Sequence, residues 1–251
     1  MERARALIQA RALGREIIAV DDRDTYVCRP HPPGELARAL TGARLTAAHR
    51  RGKSMWVETD SGPILGLHLG MAGRIVVDGA AAGDPAPDAS QRGWDRFRIG
   101  FADGGALVLR DKRRLSRAVL EPAIEGLGPD AGEVSRGVFR ERVGAGTAPI
   151  KARLMDQAVI AGVGNLLADE ALWRARIDPR RPAGSLSPAE LDRLRRELRA
   201  AIRSAIGKGG VHTGRVIPAR RADGVCPRCG GAMRRGRIGG RTTWWCGREQ
   251  S

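Results

Sequence analysis

The stretch GVGNLLADEALWRARIDP, from Gly162 to Pro179, leaves the chain few local options. Gly162 and Gly164 permit backbone angles that other residues resist, and Leu166, Leu167, Ala171 and Leu172 then recur at helical spacing. A tight turn must feed a helix N-terminus here. Such an end presents unpaired N–H groups and a partial positive charge, which suit an anion such as phosphate. On local grounds alone, the simpler reading is a turn capped by the Asn165 side chain.

The rest of the chain expects anions. Its 44 Lys and Arg oppose 28 Asp and Glu, a net charge of +16. Solubility of a small domain asks for a magnitude of only about 2 to 8. Nucleic acid is the leading partner for such an excess. An Ala/Gly/Arg-rich background also raises the charge, so charge alone does not decide the function. No apolar run approaches the length of a membrane span, and the amino end has no signal-peptide h-region. A soluble cytoplasmic protein with no membrane partner is expected.

ERARALIQARALG, Glu2 to Gly14, spaces Ala4, Leu7 and Ile8 as a helix and ends on a glycine. EIIAV, SMWVETDSGPILGLHLG and RFRIGFADGGALVLRD are strands, with hairpin turns at Asp60-Ser61-Gly62 and Asp103-Gly104. They give an antiparallel β region to about Leu120. Between them, DGAAAGDPAPDASQRG (Asp78 to Gly93) has the composition of a mobile loop. After Pro122 the sequence turns helical. SPAELDRLRRELRAAIRSAIGKGG opens with the capping box Ser187 and Glu190 and with Pro188 at the first helical position. Leu191, Leu194, Leu198, Ile202 and Ala205 make its core stripe. The expected fold class is α+β, with a helix and β domain over 1–122, a helical domain over 123–217 and a hairpin over 218–251.

Cys28 stands alone and is read as a small packed residue. Cys226, Cys229 and Cys246 gather near the carboxyl end, as metal ligands do and secreted disulfide frameworks do not. CPRC is a zinc-knuckle spacing, and GGAMRRGRIGGRTTWW then forms the hairpin that returns Cys246. The fourth position of a structural Zn2+ site falls on Glu249, an uncommon structural ligand, or on a water. The alternative is a metal-free hairpin held by Trp244 and Trp245. Arg234, Arg235, Arg237 and Arg241 on so short a hairpin favour phosphate contact.

Taken together these blocks resemble the formamidopyrimidine-DNA glycosylase/endonuclease VIII family, in the family's order and over nearly the whole chain. They are RRGKSM around Lys53, LHLGMAGR around His68 and Met71, DKRRL around Arg114 and Leu115, IKARLMDQAVIAGVGNLLADEAL, and the cysteine hairpin. The resemblance implies an N-terminal two-layer β-sandwich, a helix-two-turn-helix domain and a β-hairpin zinc finger. It implies a monomer that binds damaged double-stranded DNA and excises oxidised bases as a glycosylase and abasic-site lyase. The damaged nucleotide would be flipped out of the stack, where its sugar can be attacked. By resemblance Lys53 contacts the flipped nucleotide's phosphate and assists elimination, and His68 belongs to the DNA-binding set. Met71, Arg114 and Leu115 fill the vacated space. Lys151, Asn165 and Arg241 hold phosphates, so the Asn165 turn is read as a phosphate grip and not merely as a cap. Leu115 replaces a frequent family phenylalanine, and GWDRFRI, with Trp94 and Arg96, replaces a histidine-rich strand approach. A zinc-ribbon RNA-binding protein would explain the charge and cysteines, but not HLGM or GVGN.

Family members begin Met-Pro-Glu-Leu-Pro-Glu-Val or similar, and the processed proline attacks the sugar while the glutamate manages protons. This chain begins MERARALI, so that Met1 aligns with the family's valine. Either the start lies upstream, or the protein is a damage-binding relative without the chemistry. Six missing residues correspond to about 20 Å of extended chain. The expected outcome of borohydride trapping on an abasic duplex is no Schiff base for the 251-residue chain and efficient trapping for a version extended to Met-Pro-Glu. Covalent capture through Met1 or Lys53 would overturn that expectation.

Overall fold

The computed structural model describes residues 1–81 and 89–251. Part of the loop expected at 78–93, residues 82–88, falls outside them. Its described ends are regular: Ala80–Ala81 is a short strand and Ala89–Trp94 a 3-10 turn. The chain forms two compact units, Met1–Glu125 and Gly126–Ser251.

The first unit opens with α1 (Glu2–Arg11), whose buried Ala4 and Ile8 lie one turn apart. It continues with β1 (Ile17–Asp21), α2 (Glu35–Leu40), β2 (Leu45–Arg51), β3 (Ser54–Thr59), β4 (Leu65–His68), β5 (Arg74–Val77), β6 (Ala80–Ala81), β7 (Asp95–Phe101), β8 (Ala106–Arg110) and β9 (Arg117–Leu120). Two antiparallel sheets result, in the orders β1-β7-β8-β5-β6 and β2-β3-β4-β9. In β3 every second side chain, Met55, Val57 and Thr59, turns inward. Met55 and Val57 share a core with Ile17, Leu65, Phe97, Ile99 and Leu107. Cys28 is fully buried there, and burial together with Asp22, Asp24 and Asp21 pushes its thiol up to about 12. It is an inert packing residue.

The second unit contains α3 (Arg136–Val143), α4 (Ile150–Met155), α5 (Asn165–Ala175), α6 (Pro188–Lys208) and the hairpin of β10 (Met233–Ile238) and β11 (Arg241–Cys246). α6 buries Leu191, Leu194, Leu198 and Ala201 against a core that includes Phe139, Leu154 and Leu172. Among the described residues, no helix is long and apolar enough to cross a membrane.

The α6 capping box is complete: Ser187 Oγ accepts the Glu190 N–H, and Glu190 accepts the Ser187 N–H. The Arg181 guanidinium bonds the same carboxylate. Despite some burial it and the cap hold the Glu190 carboxyl down to about 2. A depressed carboxyl stabilises the fold above its unfolded value of 4.5 and loses that contribution as pH falls towards about 2. Ser187→Ala should cost about 1 kcal/mol in chemical denaturation at neutral pH. The stabilisation contributed by Arg181, measured with Arg181→Ala, should shrink between pH about 4.5 and about 2.

Candidate nucleic-acid interface

In the first unit, two loops carry exposed side chains on a rigid support. β4 ends at His68, and the chain then closes a tight turn in which the Gly73 N–H reaches the Leu69 carbonyl at 2.8 Å. Met71 stands at its tip with 78% of its surface exposed. A large apolar side chain in water at this position has no packing role. His68 Nδ1 accepts the Gly70 N–H at 3.0 Å, so the ring holds the turn from beneath. Burial, and then the charges of Lys53 and of the Met1 amine, lower the His68 pKa and favour this neutral acceptor form. Lys53 follows Gly52, at φ 61, in the two-residue turn between β2 and β3. The Met1 amine is itself pushed below its usual value by burial and by Arg50.

The second loop follows β8. Asp111 accepts the N–H groups of Arg113, Leu115 and Ser116 at 2.9, 2.7 and 2.8 Å. Burial opposes its ionisation, but these donors outweigh it and hold the carboxyl below its usual range. The loop forces Arg114 to φ 54, an unfavourable angle for a side-chain-bearing residue. Its guanidinium, half exposed, is tethered to Asp24 at 3.0 Å. Leu115 is half-buried, and its backbone abuts Gly70: a Cβ on Gly70 would lie 2.5 Å from the Leu115 carbonyl oxygen. Only glycine lets the two loops meet, and the meeting places Met71, Arg114 and Leu115 together.

In the second unit the GVGN turn is built by Gln157. Its Oε1 accepts the Gly162 N–H at 3.0 Å, and its Nε2 donates to the carbonyls of Met155 and Val163. Gly162 sits at φ 106. The N-cap of α5 is Gly164, and Asn165 is already the first helical residue, so no side chain caps this end. Asn165 instead donates to the Thr242 carbonyl at 3.1 Å, which ties the turn to β11 beside the exposed Arg241. The Gly239-Gly240 hairpin tip rests on α4: a Cβ at Gly239 would meet Ala152 at 3.2 Å and Met155 at 3.3 Å.

Lys151 departs from its expected surface role. It is fully buried, with Nζ 2.6 Å from Asp169 and 2.7 Å from the Thr243 hydroxyl. Burial pulls its ammonium below the usual lysine range, Asp169 opposes the pull and Arg220 adds to it. Phosphate cannot reach this amine where it stands. Arg220 bonds Asp169 from the other side at 2.8 Å. Sequence reading missed Asp169, Glu170 and Arg220. Asp169 anchors the hairpin, while Glu170 accepts the Val216 N–H at 2.9 Å and orders the following linker. Two adjacent acids on an apolar helix, Asp169-Glu170 within LLADEAL, were the available signal. Asp24 was also missed; Arg96, noted only as a departure from the family pattern, donates to the Asp111 carbonyl at 2.8 Å and so supports the Arg114 loop.

The thiols of Cys226, Cys229 and Cys246 lie within 4.8 Å of one another. Tetrahedral zinc thiolates, with Zn–S of about 2.3 Å, place sulfurs about 3.8 Å apart. The donor set therefore fits such a metal. Burial opposes ionisation of Cys226, but the Trp173 indole N–H at 3.3 Å and the backbone N–H groups of Arg228 and Cys229 bring it to about 7. Glu249 does not join the cluster, contrary to expectation. Its Oε2 pairs with Arg228 at 3.3 Å and Arg176 at 3.4 Å, and two guanidiniums are a better match for it than a thiol-rich site.

The family models of the formamidopyrimidine-DNA glycosylase N-terminal domain and H2TH domain match residues 1–118 and 126–215. The chain belongs to the formamidopyrimidine-DNA glycosylase family. It is 32% identical to formamidopyrimidine-DNA glycosylase of Nocardioides sp. over 98% of this chain and 91% of the relative. To the Halorhodospira halophila enzyme it is 33% identical over 100% and 97%. Lactococcus lactis Fpg, solved in complex with DNA containing an abasic site, superposes with a TM-score of 0.81 at 25% identity, covering 100% of this chain and 97% of that one.

Asp169→Ala should strand the Lys151 charge in the interior. The expected loss is about 3 to 5 kcal/mol of stability in denaturant unfolding. A loss within about 0.5 kcal/mol would mean that the pair is solvated.

Proposed function

We propose that this chain is a base-excision repair protein of the DNA glycosylase family that binds damaged or abasic duplex DNA as a monomer. The observation that carries the reading is the meeting of the Met71 turn and the Arg114 loop at Gly70. It holds an exposed apolar wedge and a tethered guanidinium at one place on a basic protein. In this reading Met71 and Leu115 fill the gap left by a flipped nucleotide, and Arg114 faces the unpaired base. By resemblance Lys53 contacts the flipped nucleotide's phosphate; its charge acts on His68, which positions the Met71 turn. Asn165 and Arg241 grip phosphates where the uncapped α5 terminus meets the hairpin, and Lys151 acts from the interior by fixing their spacing.

A structural zinc on Cys226, Cys229 and Cys246, with a water or other external donor fourth, completes the reading. The metal would supply rigidity and no chemical step. Elemental analysis should find one zinc per chain, and Cys226→Ala should lose it and weaken DNA binding. Protein without stoichiometric zinc that keeps full affinity would remove the metal from the proposal.

The duplex test is comparative. At moderate salt the protein should bind an abasic-analogue duplex more tightly than an intact one, and Met71→Ala should reduce that preference by about tenfold, the effect of about 1.4 kcal/mol. Arg241→Ala should weaken binding to all sequences alike, since phosphates carry no direct sequence information. Equal affinity for intact and abasic duplexes would refute the wedge.

A further inference from the structure

On the second unit, α3 and α6 frame an open groove of about 380 Å³ lined by Arg136, Asp192, Arg195, Arg196, Arg199 and Arg203. None of these residues belongs to the turn and hairpin described above. Arg195, Arg199 and Arg203 follow one another at intervals of four along α6, so they stand in a row with steps of about 6 Å. The row covers about 12 Å, the axial length of about three phosphates on one strand.

The charge of this groove is neutralised from within only in part, by Asp192 acting on Arg136 and Arg195. Its one carboxylate, Asp192, is taken by a two-pronged bond from Arg140, at 2.8 and 2.5 Å. Arg196 leans on Glu197 at 3.5 Å. Among the described residues, Arg136, Arg195, Arg199 and Arg203 form no ion pair with a carboxylate. Arg199 Nε is buried without a hydrogen-bond partner, a costly arrangement for a charged donor. Arg195 spends its Nε on the Val134 carbonyl at 2.8 Å, which leaves its outer nitrogens for the groove. Burial and the neighbouring Arg199 also pull the Arg195 guanidinium below its usual range, as crowding of like charges requires.

An anion relieves this crowding. The lining has no apolar side chain, whereas the centres of protein-docking surfaces are apolar. Every cation in it is an arginine, whose planar fork matches phosphate oxygens in pairs. We propose that the α3–α6 groove is a second track for the phosphodiester backbone of nucleic acid, separate from the grip around Asn165 and Arg241. It extends the DNA-repair reading by giving the protein a hold on duplex that carries no lesion.

The test uses the full chain and an undamaged duplex. Arg195→Gln/Arg199→Gln/Arg203→Gln should lower the slope of log affinity against log salt by about 2 to 3, at about 0.9 per lost phosphate contact. The ratio of abasic to intact affinity should stay as it was. Replacement of the three by lysine should restore most of the slope. A control variant, Arg11→Gln/Arg38→Gln/Arg98→Gln, removes the same charge from exposed positions of the first unit and should change the slope by less than about 1. An unchanged slope in the groove variant, or an equal fall in the control, overturns the proposal. So does a groove that binds poly-glutamate or pyrophosphate while the duplex slope is unaffected by its loss. Should the triple variant fail to fold, Arg199→Gln alone is read for a fall of about 0.9. Loss of lesion preference in the unmodified protein would sink the repair reading and leave the groove result standing.

Discussion

The contact between Lys151 and Asp169 decides how the second unit is assembled. Both side chains are fully removed from solvent, with Arg220 and the Thr243 hydroxyl completing their hydrogen bonds. A buried pair of this kind contributes little net stability, because removing each charge from water costs several kcal/mol. Its value lies in geometry. Lys151 comes from α4, Asp169 from α5, Arg220 from the linker and Thr243 from β11, so four separate segments must arrive together. The Thr242 carbonyl, next in line, then receives Asn165. Asn165 on the turn and Arg241 on the hairpin are thereby held in a fixed relation.

Unit one solves the same problem with glycine. Gly70 gives its Cβ position to the Leu115 backbone, and Asp111 ties down the loop from which Arg114 projects. Backbone strain at Arg114, φ 54, is the cost of aiming that guanidinium outward. Backbone bonds hold both loops: the Gly70 and Gly73 N–H groups are bonded in the first, and those of Arg113, Leu115 and Ser116 in the second.

Local signals made part of this legible and tertiary ones hid the rest. The Ser187 capping box, the GVGN turn and the Asp103-Gly104 hairpin each carry their instructions within a few residues, and each formed where the sequence placed it. α2 could not be read, because its N-terminus at Gly34 is capped by Asp22, twelve residues upstream. Resemblance makes Lys151 a phosphate contact, and nothing local contradicts it because lysine is seldom buried. Its partner Asp169 lies eighteen positions ahead, beyond the reach of helical spacing. Glu249 occupies the position of a ligand in the linear spacing, yet Arg176 and Arg228 claim it. Spacing proposes a partner, but competition among neighbours chooses one.

The Trp173 indole reaches from the last turn of α5 to the Cys226 sulfur, and Arg228 lies over the ring at 4.3 Å. The hairpin is therefore not a portable cassette. Grafted onto another scaffold it would leave behind the donor that favours its first thiolate and the aromatic floor beneath its knuckle. Changes in α5 and in the cysteine hairpin must consequently be tolerated as a pair, so the two segments form one unit of inheritance although about fifty residues of chain lie between Trp173 and Cys226.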